Sequence, residues 1–311
     1  MRVGLVDVDG HNYPNLALMK ISAWHKNQGD EVEWATPLGM YDKVFKSKVF
    51  SWTEDDPYEY GCEVIKGGTG YNLNKELPEE IEHTCPDYSL YNITEVAYGF
   101  TTRGCIRKCS FCIVPKKEGY IRPHADIEEF LDGKKNLILM DNNIMAHEHG
   151  IEQLIKCKKH KIHVDCNQGI DARIVAESDY LIRLLADLSY YKGYIRIACD
   201  NKSEVKPCLK VVDRVLEINP HKRFMVYCIL NDDMEDSFYR VGLWRKYGHN
   251  VGVYAPPYRD FSNPKLSIPK WQKFFANWVN NRFLYYGSEF LDFIKTKMSD
   301  TEIVETYGGL V

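Results

Sequence analysis

The feature that most constrains this chain is the stretch 101–119, TTRGCIRKCSFCIVPKKEG. It sets Cys105, Cys109 and Cys112 in a C-x3-C-x2-C run, with Phe111 just ahead of the last cysteine. Three thiolates this close in sequence can ligate three corners of one iron–sulfur cluster, which leaves the fourth iron without a protein ligand. An open position on a metal centre is where a substrate or cofactor binds. Zinc is the competing reading. It takes four ligands, often as two C-x2-C pairs, and the nearest candidates for a fourth here are Cys85 and His124, at awkward separations. A disulfide framework is weaker still, because a chain of 311 residues buries a full core without staples.

An apolar, strand-like run at 96–101 delivers the chain into the Gly104 loop that carries these cysteines. In this setting the run resembles that of the radical S-adenosylmethionine (SAM) superfamily. The resemblance implies a [4Fe–4S] cluster on Cys105, Cys109 and Cys112, with the amino and carboxylate groups of SAM on the free iron. It implies reductive cleavage of SAM to a 5′-deoxyadenosyl radical, used for hydrogen abstraction or for methyl or methylthio transfer, so an oxidoreductase or a transferase. It also implies a low-potential electron donor such as a flavodoxin or ferredoxin. The sequence names neither the substrate nor a separate catalytic residue. The alternative is a non-catalytic metal- or zinc-binding module on a degenerate barrel. The intact triad speaks against it, as do the polar strand ends described below.

Net charge is −4, so no global basic field advertises nucleic acid, which stays open as a partner. Arg103, Arg107, Lys108, Lys116, Lys117 and Arg122 nevertheless crowd the cysteine loop, either as a solvated face or as contacts for phosphate or carboxylate. No apolar run reaches the ~18 residues that span a bilayer, so no membrane partner is expected. The opening MRVGLVDVDGHN reads as a strand and a polar turn rather than a signal peptide. Ten cysteines without an export signal fit a reducing cytoplasm.

In chain order, 3–8 reads as a strand, 16–28 as an amphipathic helix stopped by Gly29, and 32–35 as a second strand. Further strands are expected at 43–52 and ending at Ile65, ahead of Gly67-Gly68-Thr69-Gly70. This β–α–β opening is that of a doubly wound parallel sheet. The segment resembles the cobalamin-binding domain that precedes the barrel in one class of radical SAM enzymes. Asp9 and His11 stand at the Asp and His of its Asp-x-His-x-x-Gly signature, with Pro14 in place of the final Gly. Ser51 maps to its serine motif, and Gly67 and Gly68 to its glycine pair. The resemblance implies cobalamin as a further cofactor; the residues alone also suit a Rossmann-like cap without it. Residues 71–94, rich in Pro and Asn, read as a crossing from cap to barrel.

From 96 onward strands alternate with helices: 136–140 then 148–160, 162–166 then 176–188, 194–199 then 204–218, 223–230 then 237–247, and a last strand at 251–255. Alternation of this kind argues for parallel strands with helices outside. The expected fold is therefore α/β, a partial (β/α)6 TIM-type barrel preceded by a small Rossmann-like βαβ domain. Its segments are a cap at 1–75, a linker at 76–94, a core at 95–260 and a helical extension at 261–311. The spacing of Trp271, Phe274, Phe275 and Trp278 puts them on one helix face, read as core packing.

In βα barrels functional side chains sit at the C-terminal strand ends. Asp141, Asn142 and Asn143 follow the second strand, where the family resemblance places contacts to the SAM amino group; Asp and Asn are also ordinary turn residues. The third strand runs into Asp165-Cys166-Asn167-Gln168-Gly169-Ile170-Asp171-Ala172-Arg173. Gln168 and Arg173 resemble polar positions of the family, and an arginine can grip a carboxylate by a bidentate fork; an Asp171–Arg173 ion pair is the alternative. The fourth strand ends Arg196-Ile197-Ala198-Cys199-Asp200, and either Arg196 or Asp200 is expected to reach SAM. Cys166, Cys199 and Cys228, near successive strand ends, read as small buried hydrophobes.

Overall fold

Along a strand, side chains point alternately to opposite faces, and in β1 (Arg2–Asp7) this puts Val3 and Leu5 together on one buried face. The computed structural model describes residues 1–310 apart from 11, 261–262 and 264–265. β1 pairs in parallel with β2 (Glu31–Trp34) and β3 (Lys43–Ser47), and β3 with β4 (Glu63–Gly67), giving the order β2-β1-β3-β4. Helix Leu16–Asn27 crosses between β1 and β2. The Asn15 side chain caps it by accepting from the Leu18 amide at 3.2 Å, and Gly29 at φ +82° takes the left-handed turn that ends it. Leu18 and Ile21 pack with Val3, Leu5 and Phe45, while Met19 belongs to the larger core that follows. The helix therefore lies between two cores. β3 ends five residues short of the strand expected at 43–52, because Asp9 captures the next amides. Its carboxylate accepts from Val49 N at 2.5 Å and Phe50 N at 3.3 Å, which bends the chain away.

The stretch between the two cores is folded against both. Ile81 joins the first core. Tyr88 is buried; its hydroxyl donates to the Phe130 carbonyl at 2.6 Å and accepts from the Tyr98 amide at 3.0 Å. Tyr91 donates to Asp7 Oδ2 at 2.7 Å. Lys20, buried on the first helix, meets Glu82 Oε1 at 3.0 Å, and the same oxygen lies 3.1 Å from His124 Nε2.

β5 (Val96–Gly99) leads into a two-stranded antiparallel ribbon, β6 (Thr102–Arg103) with β7 (Arg122–Pro123), which brackets the cysteine loop. There follow β8 (Asn136–Leu139), β9 (His163–Cys166), β10 (Ile170–Asp171), β11 (Ser189–Tyr190), β12 (Ile195–Ala198), β13 (Phe224–Tyr227) and β14 (Val251–Tyr254). They form two parallel sheets of order β11-β9-β8-β5 and β10-β12-β13-β14. Helices Glu148–Lys159, Asp179–Asp187, Lys202–Ile218 and Met234–Gly242 run between the strands, so the chain is α/β with parallel sheets.

Alternation sorts the two faces. Leu137, Leu139, Val164, Ile195, Ile197, Phe224, Val226 and Val251 are buried in one core with the helices. The opposite face carries Asp165, Arg196, Tyr227 and Tyr254, which touch one another. Arg196 Nη2 bonds Asp165 Oδ2 at 2.8 Å, tying β12 to β9 across the gap between the sheets. Arg196 Nη1 donates to the Tyr227 hydroxyl at 2.8 Å, and the Tyr227 and Tyr254 rings meet edge to face at 5.9 Å.

The helix expected at 176–188 is Asp179–Asp187, preceded by a separate single turn, Ala172–Val175. It starts at Ser178, whose side chain caps it by accepting from Leu181 N at 3.4 Å. At the C-terminus Trp271, Phe275 and Trp278 of helix Lys270–Asn280 are buried, with Phe275 stacked on Phe238 at 4.0 Å. That face is core packing, as its spacing implied. No helix of the described residues is long and apolar enough to cross a membrane.

Burial pushes the Glu82 carboxyl up, but the His124 hydrogen bond and the charge of Lys20 outweigh it and hold it at about 2. A depressed carboxylate contributes stability above its unfolded value and loses it as pH falls through its folded one. Glu82→Gln therefore lowers stability in urea titrations at pH 7 by about 1–3 kcal/mol. The gap between mutant and parent closes as pH drops from 4.5 toward about 2. Equal stability at pH 7 would show that Glu82 does not join the two cores.

Candidate functional site

The cysteine loop is held at its base by one buried carboxylate. Asp141, just past β8, accepts from Thr101 N at 3.1 Å, Thr101 Oγ1 at 2.6 Å, Thr102 N at 2.5 Å and Thr102 Oγ1 at 2.7 Å. Burial pushes its carboxyl up, and the threonine donors pull the other way. The Thr101 carbonyl takes the His124 amide at 2.9 Å, so both arms of the loop are fixed at one point. Gly104, at φ +82°, turns where any Cβ would strike the Tyr120 carbonyl. Glu118 then gathers the upper loop. It accepts from Gly104 N at 3.0 Å and Asn142 Nδ2 at 2.7 Å, and it pairs with Arg103 at 3.4 Å.

Within that frame Cys105, Cys109 and Cys112 are free and partly buried, and the Cys112 amide closes a turn onto the Cys109 carbonyl at 3.1 Å. Burial pushes the Cys109 and Cys112 thiols up, and each feels the charge of the other cysteines. Among the described residues no three His, Cys, Asp or Glu side chains are gathered into a ready ligand set. His124 is bonded to Glu82, and Cys85 is exposed beside Asp132 and Lys134.

Below the loop lies a polar floor from the strand ends. Asn143 Nδ2 donates to Cys105 Sγ at 3.5 Å and to Asp171 Oδ2 at 3.3 Å, whereas its Oδ1 is buried with no partner. Asp171, on β10, accepts from Arg107 Nε at 2.8 Å and Arg173 Nε at 2.7 Å. Burial pushes the Asp171 carboxyl up, yet the two guanidiniums outweigh it and bring it below its usual range. Arg173 continues to Glu204 at 2.9 Å, and Glu204 accepts from the Asp200 amide at 2.6 Å. Burial pushes Asp200 up to about 7, even though its carboxylate accepts from Ile229 N at 2.9 Å.

The residues singled out from the sequence thus separate. Asp141 is a buried anchor, Asn142 belongs to Glu118, and Asn143 alone presents an unused acceptor. Gln168 is exposed and turned onto Asn167 Oδ1 at 3.1 Å, away from the floor. The forks of Arg173 and Arg196 are taken up by Asp171, Glu204 and Asp165, so neither is open for a second carboxylate. Arg107, one of the basic residues noted around the cysteine loop, and Glu204, which sequence reasoning passed over, complete the floor. Cys166, Cys199 and Cys228 are buried in the core.

On the N-terminal sheet, His11 lies outside the described residues. Gly68, at φ +90°, packs so close that a Cβ would strike the Lys48 carbonyl, and Gly70 faces the Phe50 backbone. Gly67, the other glycine of the pair, has open space where a Cβ would stand, so only the Gly68 side of the turn is filled by the chain itself. No family model matches the chain, and a search of curated proteins finds no match either.

Asp141→Ala strands four donors at once and lowers stability by about 2–4 kcal/mol in urea unfolding, with faster amide exchange at Thr101 and Thr102. Unchanged exchange there would remove Asp141 as the anchor. Asp200 gives a signed pH test on the metal-free protein. Its raised value means the folded state holds a proton that the unfolded state has lost, so stability falls as pH rises from 3.8 to about 7. Asp200→Asn keeps an acceptor for Ile229 N and removes this fall, a difference on the order of 3 kcal/mol between pH 4 and pH 8. Parallel stability–pH curves for parent and mutant would refute it.

Proposed function

We propose that this chain is a radical SAM enzyme whose two parallel sheets form one partial (β/α)6 barrel, with the cysteine loop over its C-terminal strand ends. The observation that carries the reading is the anchored loop of three free thiols above a floor in which Asn143 Oδ1 is buried and unpaired. The donor set suits the group: thiolates are the ligands of iron–sulfur clusters, and three on one loop leave an iron open. Cys105, Cys109 and Cys112 would hold a [4Fe–4S] cluster, which would supply one-electron cleavage of SAM to a 5′-deoxyadenosyl radical for hydrogen abstraction or methyl or methylthio transfer.

The chain's own residues do the rest. Asn143 Oδ1 accepts from the SAM ammonium, which gives a buried acceptor the partner it lacks. Arg107 and Arg173 are paired with Asp171 and Glu204. They fix the floor's geometry rather than act as forks for the SAM carboxylate. Asp165, Arg196, Tyr227 and Tyr254 line the inner face of the strands with polar edges that need no helix over them, and so leave room for SAM and substrate. A low-potential flavodoxin or ferredoxin is the electron donor this reaction class calls for. No step in this reading passes through cobalamin.

Anaerobic reconstitution with iron and sulfide, followed by reduction with SAM, yields 5′-deoxyadenosine from the parent and none from Cys105→Ala. Asn143→Ala retains cluster absorbance and weakens SAM binding about tenfold, the loss of one charge-assisted hydrogen bond. Stoichiometric zinc with no cluster, under the same conditions, overturns the reading.

A further inference from the structure

The β6–β7 ribbon sets two like charges face to face. Arg103 and Arg122 are directly opposite in its register, an arrangement that is destabilising unless an anion lies close to both. Glu118 serves them only in part. Its carboxylate pairs with Arg103 at 3.4 Å and is otherwise committed to Gly104 N and Asn142, while Arg122 reaches only its backbone carbonyl, at 2.7 Å. Lys117, half-buried on the single turn Val114–Lys117, joins the group. Burial lowers its ammonium, and the charges acting on it are those of Glu118, Arg103 and Glu82. Lys116 beside it is exposed.

The carboxylates around the ribbon have other partners. Glu82 is matched by Lys20 at 3.0 Å and by His124 at 3.1 Å. Glu129 is bonded to His83 at 3.0 Å, and Asp126, past β7, to Lys156. Glu79 and Glu80, exposed on the same turn as Glu82, are not among the charges acting on Lys117. Lys116, Lys117 and Arg122 are paired with no carboxylate among the described residues. The ribbon thus carries a local positive excess in a chain whose net charge is −4.

This patch touches one of the three thiol-bearing residues. The Gly119 carbonyl accepts the Cys105 amide at 3.2 Å. Gly119 is exposed, with open space where a Cβ would stand, so no side chain of its own screens that bond from a partner. Tyr120, 73% exposed, follows it. The Cys105 thiol meanwhile accepts from Asn143 of the floor at 3.5 Å. Cys105 therefore joins the ribbon to the floor, and a partner seated on the ribbon leaves the floor free.

We infer that this ribbon is the docking surface for an acidic one-electron carrier protein, seated on Lys116, Tyr120 and Arg122 with its closest approach at Gly119. The inference rests on the radical reading and names where its electron enters: the reduced carrier gives up one electron to the centre held by the cysteines and leaves oxidised by one. Electron transfer weakens steeply with distance, so the carrier has to meet the chain where backbone leads directly to a ligand. It also has to leave after each transfer, which suits a small, charge-steered contact. Carboxylates of the carrier supply the anion that the Arg103–Arg122 pair lacks. A nucleic-acid strand is a poorer fit, because it needs cations spaced along its backbone, and the ribbon offers one short cluster.

The test is fluorescence anisotropy of two labelled acidic carriers, a flavodoxin with its flavin bound and a [2Fe–2S] ferredoxin, with the full-length protein and no added iron or SAM. The parent binds at least one of them and loses affinity steeply with salt. Lys116→Glu with Arg122→Glu weakens binding about tenfold or more. Lys159→Glu with Lys210→Glu, the same change in charge at exposed helix positions elsewhere, leaves affinity within about twofold. Where the ribbon double variant does not fold, amide exchange in the parent is the second test, and it slows at 116–122 when the carrier is added. No binding of either carrier at low salt, equal loss from both double variants, or unchanged exchange at 116–122 overturns the inference. So does a 20-nucleotide single strand that binds more tightly than either carrier through the same two residues. Because binding is read without a cluster, 5′-deoxyadenosine formed with a chemical reductant but no carrier binding removes only this inference. Patch-dependent binding by a chain that takes zinc and no cluster removes only the radical reading.

Discussion

Everything about the cysteine loop depends on a carboxylate that never reaches it. Asp141 lies buried at the end of β8 and takes the amides and hydroxyls of Thr101 and Thr102 together. Such a cluster is stable only as a unit, because each donor removed from water needs the acceptor and the carboxylate needs the donors. Its geometry transmits the register of the parallel sheet to a segment with almost no regular structure of its own. From Thr102 the chain has one short ribbon and one positive-φ glycine before Cys105, so the thiols inherit their position from β8.

The floor beneath follows a second rule: nearly every charge is paired within the chain. Arg107, Asp171, Arg173 and Glu204 form a continuous string, and Arg196 with Asp165 forms a separate one. In a partly buried setting such pairs hold geometry more than they add stability, since desolvation consumes much of the Coulomb gain. What stands out against that background is the atom left over. Asn143 Oδ1 sits among satisfied neighbours with no donor of its own, and buried unpaired acceptors are uncommon enough to need a cause.

Much of the fold was legible because β-branched runs and helical spacing agree with what each segment packs against. The runs at 136–140, 162–166 and 251–255 became β8, β9 and β14 to within a residue or two. Errors came where a polar side chain outbid the pattern. Asp9 took the amides that would have continued β3, and Ser178 capped the helix expected from 176 so that it starts at 179; the Ser-Asp pair at 178–179 was a readable start signal. The candidate site was legible as a set of residue types at strand ends, but not as roles. Whether an arginine is a ligand fork or a counter-charge depends on which acid lies across from it. Arg173 meets Glu204 from a helix that begins 29 residues later, and Arg196 meets Asp165 from a strand 31 residues earlier.

The N-terminal sheet has little freedom relative to this site. Its helix puts Leu18 in one core and Met19 in the other, Lys20 meets Glu82, and Glu82 meets His124 directly beside the Thr101 anchor. A cap fastened in this way cannot swing as a lid without breaking buried ion pairs. Its contribution is therefore a fixed surface, and the turn held by Asp9 is the part of that surface that faces the cysteine loop through Arg259 and Tyr258. The connection from β3 to β4, which carries no helix, fits the same logic. Where a doubly wound sheet would place a covering helix, this chain runs an irregular segment whose Asp56 pairs with Lys46 of β3 at 2.7 Å, with Phe50 stacked on Trp52 in the same segment.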